Sequence, residues 1–377
     1  MTTRRTLILS AAAIAATRAL PARAQDDQLP PPPPGTELVA VGFSNPRDLA
    51  FGPDGALYVA EAGGAGTEAC YDGPEGYPEC WGTSGAIARV APDGTIERIL
   101  TGVGNRSMQD TGMNAIGPHG LAFVDDSLYL LTGLSGSPDV RDGLGPIGAD
   151  LGRIFLVQDG TNTEFADIAG HEATANPAGG TVDANPFDIT ALPDGTLAVV
   201  DTGGNDLMHV AADGTVTTLA TFADRDVTLP DGSTVTMQAV PSAVELGPDG
   251  LIYVGTMTGL PFPVGEARVF TVPLEGGQPT EIASGFTNII DLTFDDAGNL
   301  YVLEWAKGGL GNINPEDPTT MEGQLTRIAL DGTRTVLAGE QLILPTVAEY
   351  HNGAIYLANY GTLPEIASIV RLPLGTA

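Results

Sequence analysis

A repeated hairpin constrains the fold of this chain more than any other feature of its sequence. The first copy, Asn45–Gly64, has two apolar runs joined by the turn Gly52–Gly55. Proline fixes φ for a tight turn and glycine accepts positive φ, so this segment is predicted to form a β-hairpin. A search for self-similarity along the chain finds further copies at Gly117–Thr132, Asn185–Asp201, Val240–Thr256, Asn288–Glu304 and Leu344–Asn359.

A second hairpin follows each of the first five copies and completes a unit of four strands. These second hairpins are Ala86–Leu100, Gly152–Ile168, Leu207–Leu219, Arg268–Ile282 and Gln324–Leu337. The sixth unit has only three strands, the last being Ala367–Pro373. Thr36–Phe43 has the pattern of a fourth strand, and we expect it to pair beside Ser368–Arg371. Because a ring of sheets must close or leave an exposed edge, the sequence predicts an all-β, six-bladed β-propeller with four-stranded blades, closed by its N-terminal strand.

The start of the chain is predicted to be an export signal. Arg4-Arg5 precedes the apolar run Leu7–Ala16, and Ala22–Ala24 offers small residues for a cleavage site. The run is too short to span a membrane stably. Thr3–Ile8 is similar to a twin-arginine signal, which implies export after folding, and a general secretion signal is the alternative.

These features divide the chain into three parts. We expect an export signal at residues 1–24, a stiff Pro-rich spacer at 25–35 and a single propeller domain at 36–377. No transmembrane segment is predicted once the signal is removed. The predicted location is therefore the periplasm or the outside of the cell.

The charge balance excludes two classes of partner. The formal net charge is −31, and Lys307 is the only lysine. Such an acidic surface repels nucleic acid and anionic membrane, so neither is predicted as a partner. Solubility in a salty or external medium accounts for the charge, and cation scavenging is the alternative.

The two cysteines, Cys70 and Cys80, flank a nine-residue loop rich in glycine and proline. In an exported protein, two cysteines this close are predicted to form a disulfide. Zinc is not predicted, because two thiolates alone do not complete a tetrahedral site.

The long insertions all fall on one face of the predicted propeller. They connect second to third strands, or fourth strands to the next unit, and both kinds of connection emerge on the same side because strand direction alternates. They are Ala62–Gly85, Gly133–Leu151, Gly259–Ala267, Ala306–Gly323, Ala169–Ala184 and Ala223–Ala239. Loops on a rigid scaffold are where recognition is usually placed. We therefore expect binding at this loop-decorated face.

Polar residues are predicted at the mouth of the central channel, where first strands begin and second strands end. The ligand-binding candidates are Arg47, Asp48, His119, Asp188, Asp291 and Trp305. The candidate metal ligands are Glu61, Asp201, Glu304 and Asn359. Oxygen donors that converge from several blades suit a hard cation, so Ca²⁺ is a candidate cofactor. The alternative is that these side chains satisfy backbone groups and hold no ligand.

His119 is the leading catalytic candidate, with Glu61 and Glu304 as the other two. A neutral histidine at a polar mouth suits a general base or a ligand, and a hydrogen-bonded structural histidine is the alternative. The sequence contains no GxSxG or HExxH motif. Trp305 and Trp81, with Phe262, either form an apolar platform for a ligand or hold the long loops down.

Several segments resemble those of a known family. They are Leu49–Gly64, Cys70–Val90, Gly117–Gly120, Thr256–Gly265 and Ser284–Phe294. Together they resemble the ScyD/ScyE family of exported, NHL-repeat-like propellers, over essentially the whole mature chain. The resemblance implies a propeller fold and no particular reaction, because that family has no settled activity. More distantly, the fold is similar to calcium-dependent lactonases and to sugar dehydrogenase propellers.

Three functional hypotheses follow. The first is an exported propeller that binds a small ligand or a protein partner at the decorated face. The second is an exported enzyme, either a lactonase-like hydrolase or a sugar-dehydrogenase-like oxidoreductase, with His119 as its base. The third is a purely structural propeller in a cell-envelope complex.

Overall fold

The structure is a computed structural model that describes residues 30–72, 78–229, 231–314 and 316–375. The predicted export signal and the first part of the predicted spacer, residues 25–29, lie outside the described residues. The described chain is all-β and is built from several antiparallel sheets. It has two short α-helices, α1 (Pro138–Gly143) and α2 (Ile168–Ala175), and short 3₁₀ helices at Gly145–Ile147, Leu310–Asn312 and Pro318–Met321.

The strands follow one another with few other elements between them. The first half of the chain contains β1 (Glu37–Phe43), β2 (Pro46–Phe51), β3 (Leu57–Glu61), β4 (Glu68–Asp72), β5 (Pro78–Val90), β6 (Ile96–Met108), β7 (Pro118–Val124), β8 (Ser127–Thr132), β9 (Arg153–Gln158), β10 (Thr161–Asp167), β11 (Pro186–Ala191), β12 (Leu197–Asp201), β13 (Asp206–Val210) and β14 (Val216–Thr221). The second half contains β15 (Arg225–Thr228), β16 (Thr234–Met237), β17 (Pro241–Leu246), β18 (Ile252–Thr256), β19 (Ala267–Val272), β20 (Thr280–Phe286), β21 (Ile289–Phe294), β22 (Leu300–Glu304), β23 (Gln324–Ile328), β24 (Arg334–Ala338), β25 (Ala348–His351), β26 (Ala354–Asn359) and β27 (Ala367–Pro373).

Six of the described sheets contain at least four strands. Four of them take consecutive strands in chain order, namely β7–β10, β11–β14, β17–β20 and β21–β24. A fifth joins β2, β3, β5 and β6, with β4 paired to the first part of β5. The sixth has the order β1-β27-β26-β25, and β15 and β16 form a separate ribbon.

The strand pair between the two ends of the described chain agrees with the sequence prediction. In the β1–β27 pair, Glu37 lies opposite Arg371 and Phe43 lies opposite Ala367. Phe43 is fully buried in a core cluster that also contains Leu49 and Ile369. The apolar side chains of β1 therefore join the packing of the first and last sheets, as a fourth strand of the last unit should.

The hairpin turns owe their shape to an Asp-Gly pair. In the first turn, the Oδ1 of Asp54 accepts the backbone N–H of Ala56 at 3.1 Å, and Gly55 has a φ of 73°. The same aspartate bond and positive-φ glycine recur at Asp194-Gly195 and Asp249-Gly250. Glycine accepts this conformation without steric cost, which explains the regular spacing of the hairpins.

Candidate functional site

The innermost strands are the first strands of the repeated units. In five of them, the pairing with the second strand of the unit shifts by one residue just after the first position. The shift occurs in β2, β7, β11, β17 and β21. Such a bulge re-aims the side chain of the extra residue. The residues at the shift are Arg47, His119, Phe187, Ser242 and Ile290.

Side chains at two of the bulges donate hydrogen bonds to backbone carbonyls in the next sheet or in the segment that precedes it. The Nε and Nη2 of Arg47 donate to the carbonyl of Ala115 at 3.1 and 2.7 Å. The Ser242 hydroxyl donates to the carbonyl of Ile289 at 2.6 Å. Burial lowers the pKa of Arg47 to about 10. This predicted ligand-binding residue is thus bonded to the protein backbone.

His119 is buried against the next innermost strand, with 3% of its surface exposed. Its Nδ1 lies 3.3 Å from the carbonyl oxygen of Phe187, and the two rings are 4.5 Å apart. Burial, and secondly the charge of Arg47, hold the pKa of His119 well below its usual range. The imidazole is therefore neutral at physiological pH, and its role as a base stays a prediction.

Three aspartates link the sheets in pairs. Asp48, Asp188 and Asp291 each accept the N–H of the residue that follows them and the N–H of a residue in the next sheet. The cross-sheet donors are Leu121 at 2.6 Å, Val244 at 2.7 Å and Ala348 at 2.6 Å. In these predicted ligand-binding residues, both carboxylate oxygens therefore accept hydrogen bonds from backbone amides.

The same aspartates line a central cavity of about 190 Å³ together with Glu245 and Glu349. Burial raises the pKa of Asp188 to about 7 and the pKa of Glu245 to about 8, the second also because of the Asp188 charge. Burial and the neighbouring carboxylates also hold the pKa of Glu349 well above its usual range. The sequence analysis missed both glutamates, which line the same cavity as the aspartates from β17 and β25.

The four predicted metal ligands lie in four different sheets. Each accepts a hydrogen bond from the backbone N–H of a residue that precedes the innermost strand of the same sheet. The pairs are Glu61 with Ser44 at 2.9 Å, Asp201 with Asn185 at 2.7 Å, Glu304 with Thr287 at 2.6 Å and Asn359 with Ile343 at 2.6 Å. Glu61 is also paired with Arg98 at 2.8 Å. The structure does not bring these four side chains together.

Trp305 and Trp81 belong to the protein core. They are 5% and 2% exposed, and Phe262 packs in the same cluster as Trp305. These aromatic side chains thus pack into the core and anchor the loops that carry them, which is one of the two roles considered from the sequence.

The predicted disulfide is confirmed, since Cys70 and Cys80 are bonded. The bond joins β4 to the first part of β5. Next to it, the buried Arg106 pairs with Glu79 at 3.3 Å, and its Nη1 donates a hydrogen bond to the Tyr71 hydroxyl oxygen at 2.6 Å. The described part of the long insertion after β3, residues 62–72 and 78–85, therefore contains paired strands.

A second cavity, which we call the loop-face cavity, has a volume of about 290 Å³. It lies among segments that the sequence analysis placed on the decorated face. Its lining comes from Glu172, residues 177–179, Thr181, Asp183, residues 203–205, residues 221–224 and Gln238. Three of these residues are acidic, and no Lys, Arg or His is among the described lining residues.

Four buried carboxylates meet beside this cavity. They are Glu172 on α2, Asp183 before β11, Asp201 at the end of β12 and Asp206 at the start of β13, each less than 8% exposed. Burial, then the charge of Asp201, raises the pKa of Glu172 to about 7. Burial, with the charges of Asp201 and Glu172, holds the pKa of Asp206 well above its usual range.

Sequence reasoning found only Asp201 of this group. Glu172 and Asp183 lie in a segment that was predicted merely to connect two units, and its helix was not foreseen. The segment Asp201–Asp206 could have indicated the site from the sequence, because its two acidic residues flank a Gly-Gly turn. Turns of this kind between a second and a third strand open onto the decorated face.

The chain matches no protein-family model and no curated protein. Its structure does match solved β-propeller proteins at low sequence identity. The PQQ-bound aldose sugar dehydrogenase from Streptomyces coelicolor is 13% identical, with a TM-score of 0.51 over 90% of this chain and 99% of that one. An auxiliary nutrient binding protein from Bacteroides thetaiotaomicron is 9% identical, with a TM-score of 0.52 over 88% and 69%. A gluconolactonase-like protein is 12% identical, with a TM-score of 0.50 over 90% and 92%.

These likenesses show that the chain has a β-propeller type of fold, and at such low identity they show the fold alone. Among the described residues, no helix is long and apolar enough to cross a membrane.

Proposed function

We propose that the chain is an exported, ScyD/ScyE-like propeller that binds a small polar molecule in the loop-face cavity. Its domain is residues 36–377, with six blades and a ring closed by β1, after an export signal at 1–24 and a spacer at 25–35. The six larger sheets, the β1–β27 pair and the contact of β25 with β2 support the ring. The export signal and the disulfide support a periplasmic or secreted location.

The loop-face cavity is the observation that carries the binding role. At about 290 Å³, it is close to the lower end of the roughly 300–1,000 Å³ typical of small-molecule sites. Its three acidic and several other polar lining residues, with no basic residue among those described, favour neutral or cationic polar ligands over anions. The ligand class is therefore a sugar-like polyol or a small amine.

The channel mouth supports ligand binding less well. The functional atoms of Asp48, Asp188 and Asp291 are already bonded to backbone amides, and Arg47 is bonded to a carbonyl. A hydrolase or oxidoreductase centred on His119 remains the alternative, since propellers host both enzymes and binding proteins.

A ligand screen with a matched pair of variants tests this proposal. Neutral monosaccharides, polyols and primary amines are screened by ligand-observed NMR against the wild-type chain. Ala178→Trp places a bulky side chain in the cavity lining, whereas Ala212→Trp places one at an exposed turn between β13 and β14. We expect binding that Ala178→Trp abolishes and Ala212→Trp preserves. Binding only of anions, or equal binding by both variants, would contradict the proposal.

A further inference from the structure

We propose that Glu172, Asp183, Asp201 and Asp206 bind one divalent cation of the calcium class at the wall of the loop-face cavity. The proposal deepens the proposed function, because two of these residues line that cavity. It concerns a site distinct from the channel mouth, and it can stand or fall without any organic ligand.

The first support is a set of buried carboxylate oxygens that have no hydrogen-bond partner. They are Glu172 Oε2, Asp183 Oδ1, Asp201 Oδ2 and both oxygens of Asp206. Asp206 is 1% exposed, so water from the surface does not readily replace the missing partners. A buried acceptor left without a hydrogen bond destabilises the folded state, and more strongly when it is charged. Five such atoms, carried by four carboxylates that act on one another's pKa values, therefore favour a positively charged or hydrogen-bonding group nearby.

The second support is their convergence on one glycine. A Cβ atom added to Gly204 would lie 3.3 Å from Asp206 Oδ1, 3.4 Å from Glu172 Oε2 and 3.4 Å from Asp201 Cγ. Three carboxylates thus surround a single point that only the absence of a side chain leaves free. The Asp201 carboxylate is also held in place, because its Oδ1 accepts the N–H groups of Gly203 and Gly204 at 2.8 and 2.9 Å.

The charge of this group is poorly compensated. Burial raises the pKa of Asp183 to about 6, and the charge of Arg106 opposes part of that rise, but Arg106 is already paired with Glu79. In the part of the chain that the structure describes, the charges that shift the pKa values of Asp201, Asp206 and Glu172 come from carboxylates of the same group. Bringing several carboxylates together away from water is unfavourable unless a cation or protons neutralise them.

The donor atoms select the kind of cation. All are carboxylate oxygens, with no Cys or His among them, which favours a hard ion such as Ca²⁺ or Mg²⁺ over zinc or copper. Calcium takes about six to eight oxygen ligands in flexible geometry, whereas magnesium demands a near-ideal octahedron. Five free oxygens from four chain segments, completed by water from the cavity, fit calcium better.

Binding would require the carboxylates to draw closer together. As the side chains stand, no group of three or more His, Cys, Asp or Glu residues in the described ranges has the arrangement of a metal site. Calcium–oxygen distances are about 2.3–2.6 Å. Two of the free oxygens, Asp206 Oδ1 and Glu172 Oε2, lie 3.3 and 3.4 Å from one point beside Gly204, and Asp201 Cγ lies 3.4 Å from it. Modest side-chain rotations therefore bring them into range once a cation offsets their mutual repulsion.

The test is calorimetric titration of the full chain with CaCl₂ and MgCl₂ after removal of metal with EDTA, at physiological ionic strength. We expect one saturable calcium site and a higher melting temperature in calcium. Asp206→Asn should weaken calcium binding by at least about tenfold. Gly204→Ala, which adds a methyl group among the oxygens, should weaken it without removing a ligand. Asp213→Asn, in an exposed turn, is the control and should bind calcium like the wild type.

Melting temperatures distinguish a cation site from a purely structural cluster. Without calcium, Asp206→Asn should melt at the same temperature as the wild type or higher, because it removes a buried charge. With calcium, it should melt at a lower temperature than the wild type. No saturable binding, or binding that Asp206→Asn and Gly204→Ala leave unchanged, would overturn the proposal. Polyol or amine binding in a protein that shows no saturable calcium binding would leave the ligand site standing and overturn the cation site, whereas calcium binding without any organic ligand would do the opposite.

Discussion

The carboxylate of Asp188 on β11 accepts the backbone N–H of Val244 on β17 at 2.7 Å and thereby joins two sheets at the central channel. The same bond is made by Asp48 to Leu121 and by Asp291 to Ala348. The corresponding residues of the intervening innermost strands, Gly120 and Ala243, have no carboxylate. The aspartates thus join the sheets in three pairs.

Replacing one of these aspartates should destabilise the fold. Asp188→Ala leaves the N–H groups of Val244 and Ile189 without their acceptor. An unpaired buried N–H costs about 1–3 kcal/mol, partly offset here by the loss of a buried charge. We expect the free energy of unfolding, measured by urea titration, to fall by about 1–3 kcal/mol. Asp126→Ala, in an exposed turn, is the control; an equally small loss in both variants would contradict the bridging role.

Stability should fall as the pH rises from about 5 to about 8.5. The raised carboxyl pKa values mean that the folded protein retains protons that the unfolded chain releases near pH 4. The stability that these retained protons contribute is fully present below the pKa of the unfolded carboxyls. It is lost as the pH passes about 7, the pKa of Asp188, and about 8, the pKa of Glu245. Denaturant titrations across this range, in the presence of a chelator, provide the measurement.

Glu245→Gln should flatten this pH dependence by removing one titrating group from the channel. Glu97→Gln changes an exposed glutamate on β6 and should leave the slope as in the wild type. A slope that Glu245→Gln does not alter would mean that the channel carboxylates are not its source.

Much of the fold was predictable because its signals are local. The turn Gly52–Gly55 and its repeats specify hairpins through φ preferences and aspartate bonds that involve residues only two positions apart. The β1–β27 pair was predictable for a different reason, since five complete units and one incomplete unit left a single strand to be placed. The extended β5 and β6 and the helix α2 were not predicted, because their form depends on packing within the insertions.

The candidate site was less predictable because its parts are distant in sequence. Asp201 was recognised by its position at a strand end, but Glu172 lies on a helix in a connecting segment. Glu61 and Glu304 have the same strand-end position as Asp201 and each bonds a backbone amide. Only the folded structure shows that Asp201 alone also has carboxylate neighbours.

Closure by the N-terminal strand can be tested by truncation. A chain that begins at Ser44 lacks β1, leaves one edge of β27 without a partner strand and removes the fully buried Phe43. Losing a buried phenylalanine side chain alone costs about 3–5 kcal/mol. We expect this variant to be unfolded or to melt far below a control that begins at Gly35. Equal melting temperatures would show that the ring does not depend on β1.

The Cys70–Cys80 bond should stabilise the insertion after β3. The bonded residues are separated by 10 positions, and closing a loop of about 15 residues is worth about 3 kcal/mol. Cys70→Ser/Cys80→Ser should therefore lower the free energy of unfolding by about 2–3 kcal/mol. Alkylation of the oxidised protein should label neither cysteine until a reductant is added, and a variant as stable as the wild type would contradict the structural role.

Ligand binding in the loop-face cavity, instead of the channel mouth, is tested most directly by titrating two variants with the same compound. The compound is the tightest binder of the monosaccharide, polyol and amine panel, and calorimetry measures its affinity for Ala178→Trp and for His119→Ala. The predicted result is that Ala178→Trp loses binding and His119→Ala retains it with a wild-type affinity. Retention by Ala178→Trp and loss by a folded His119→Ala would contradict the proposed site and move function to the channel mouth.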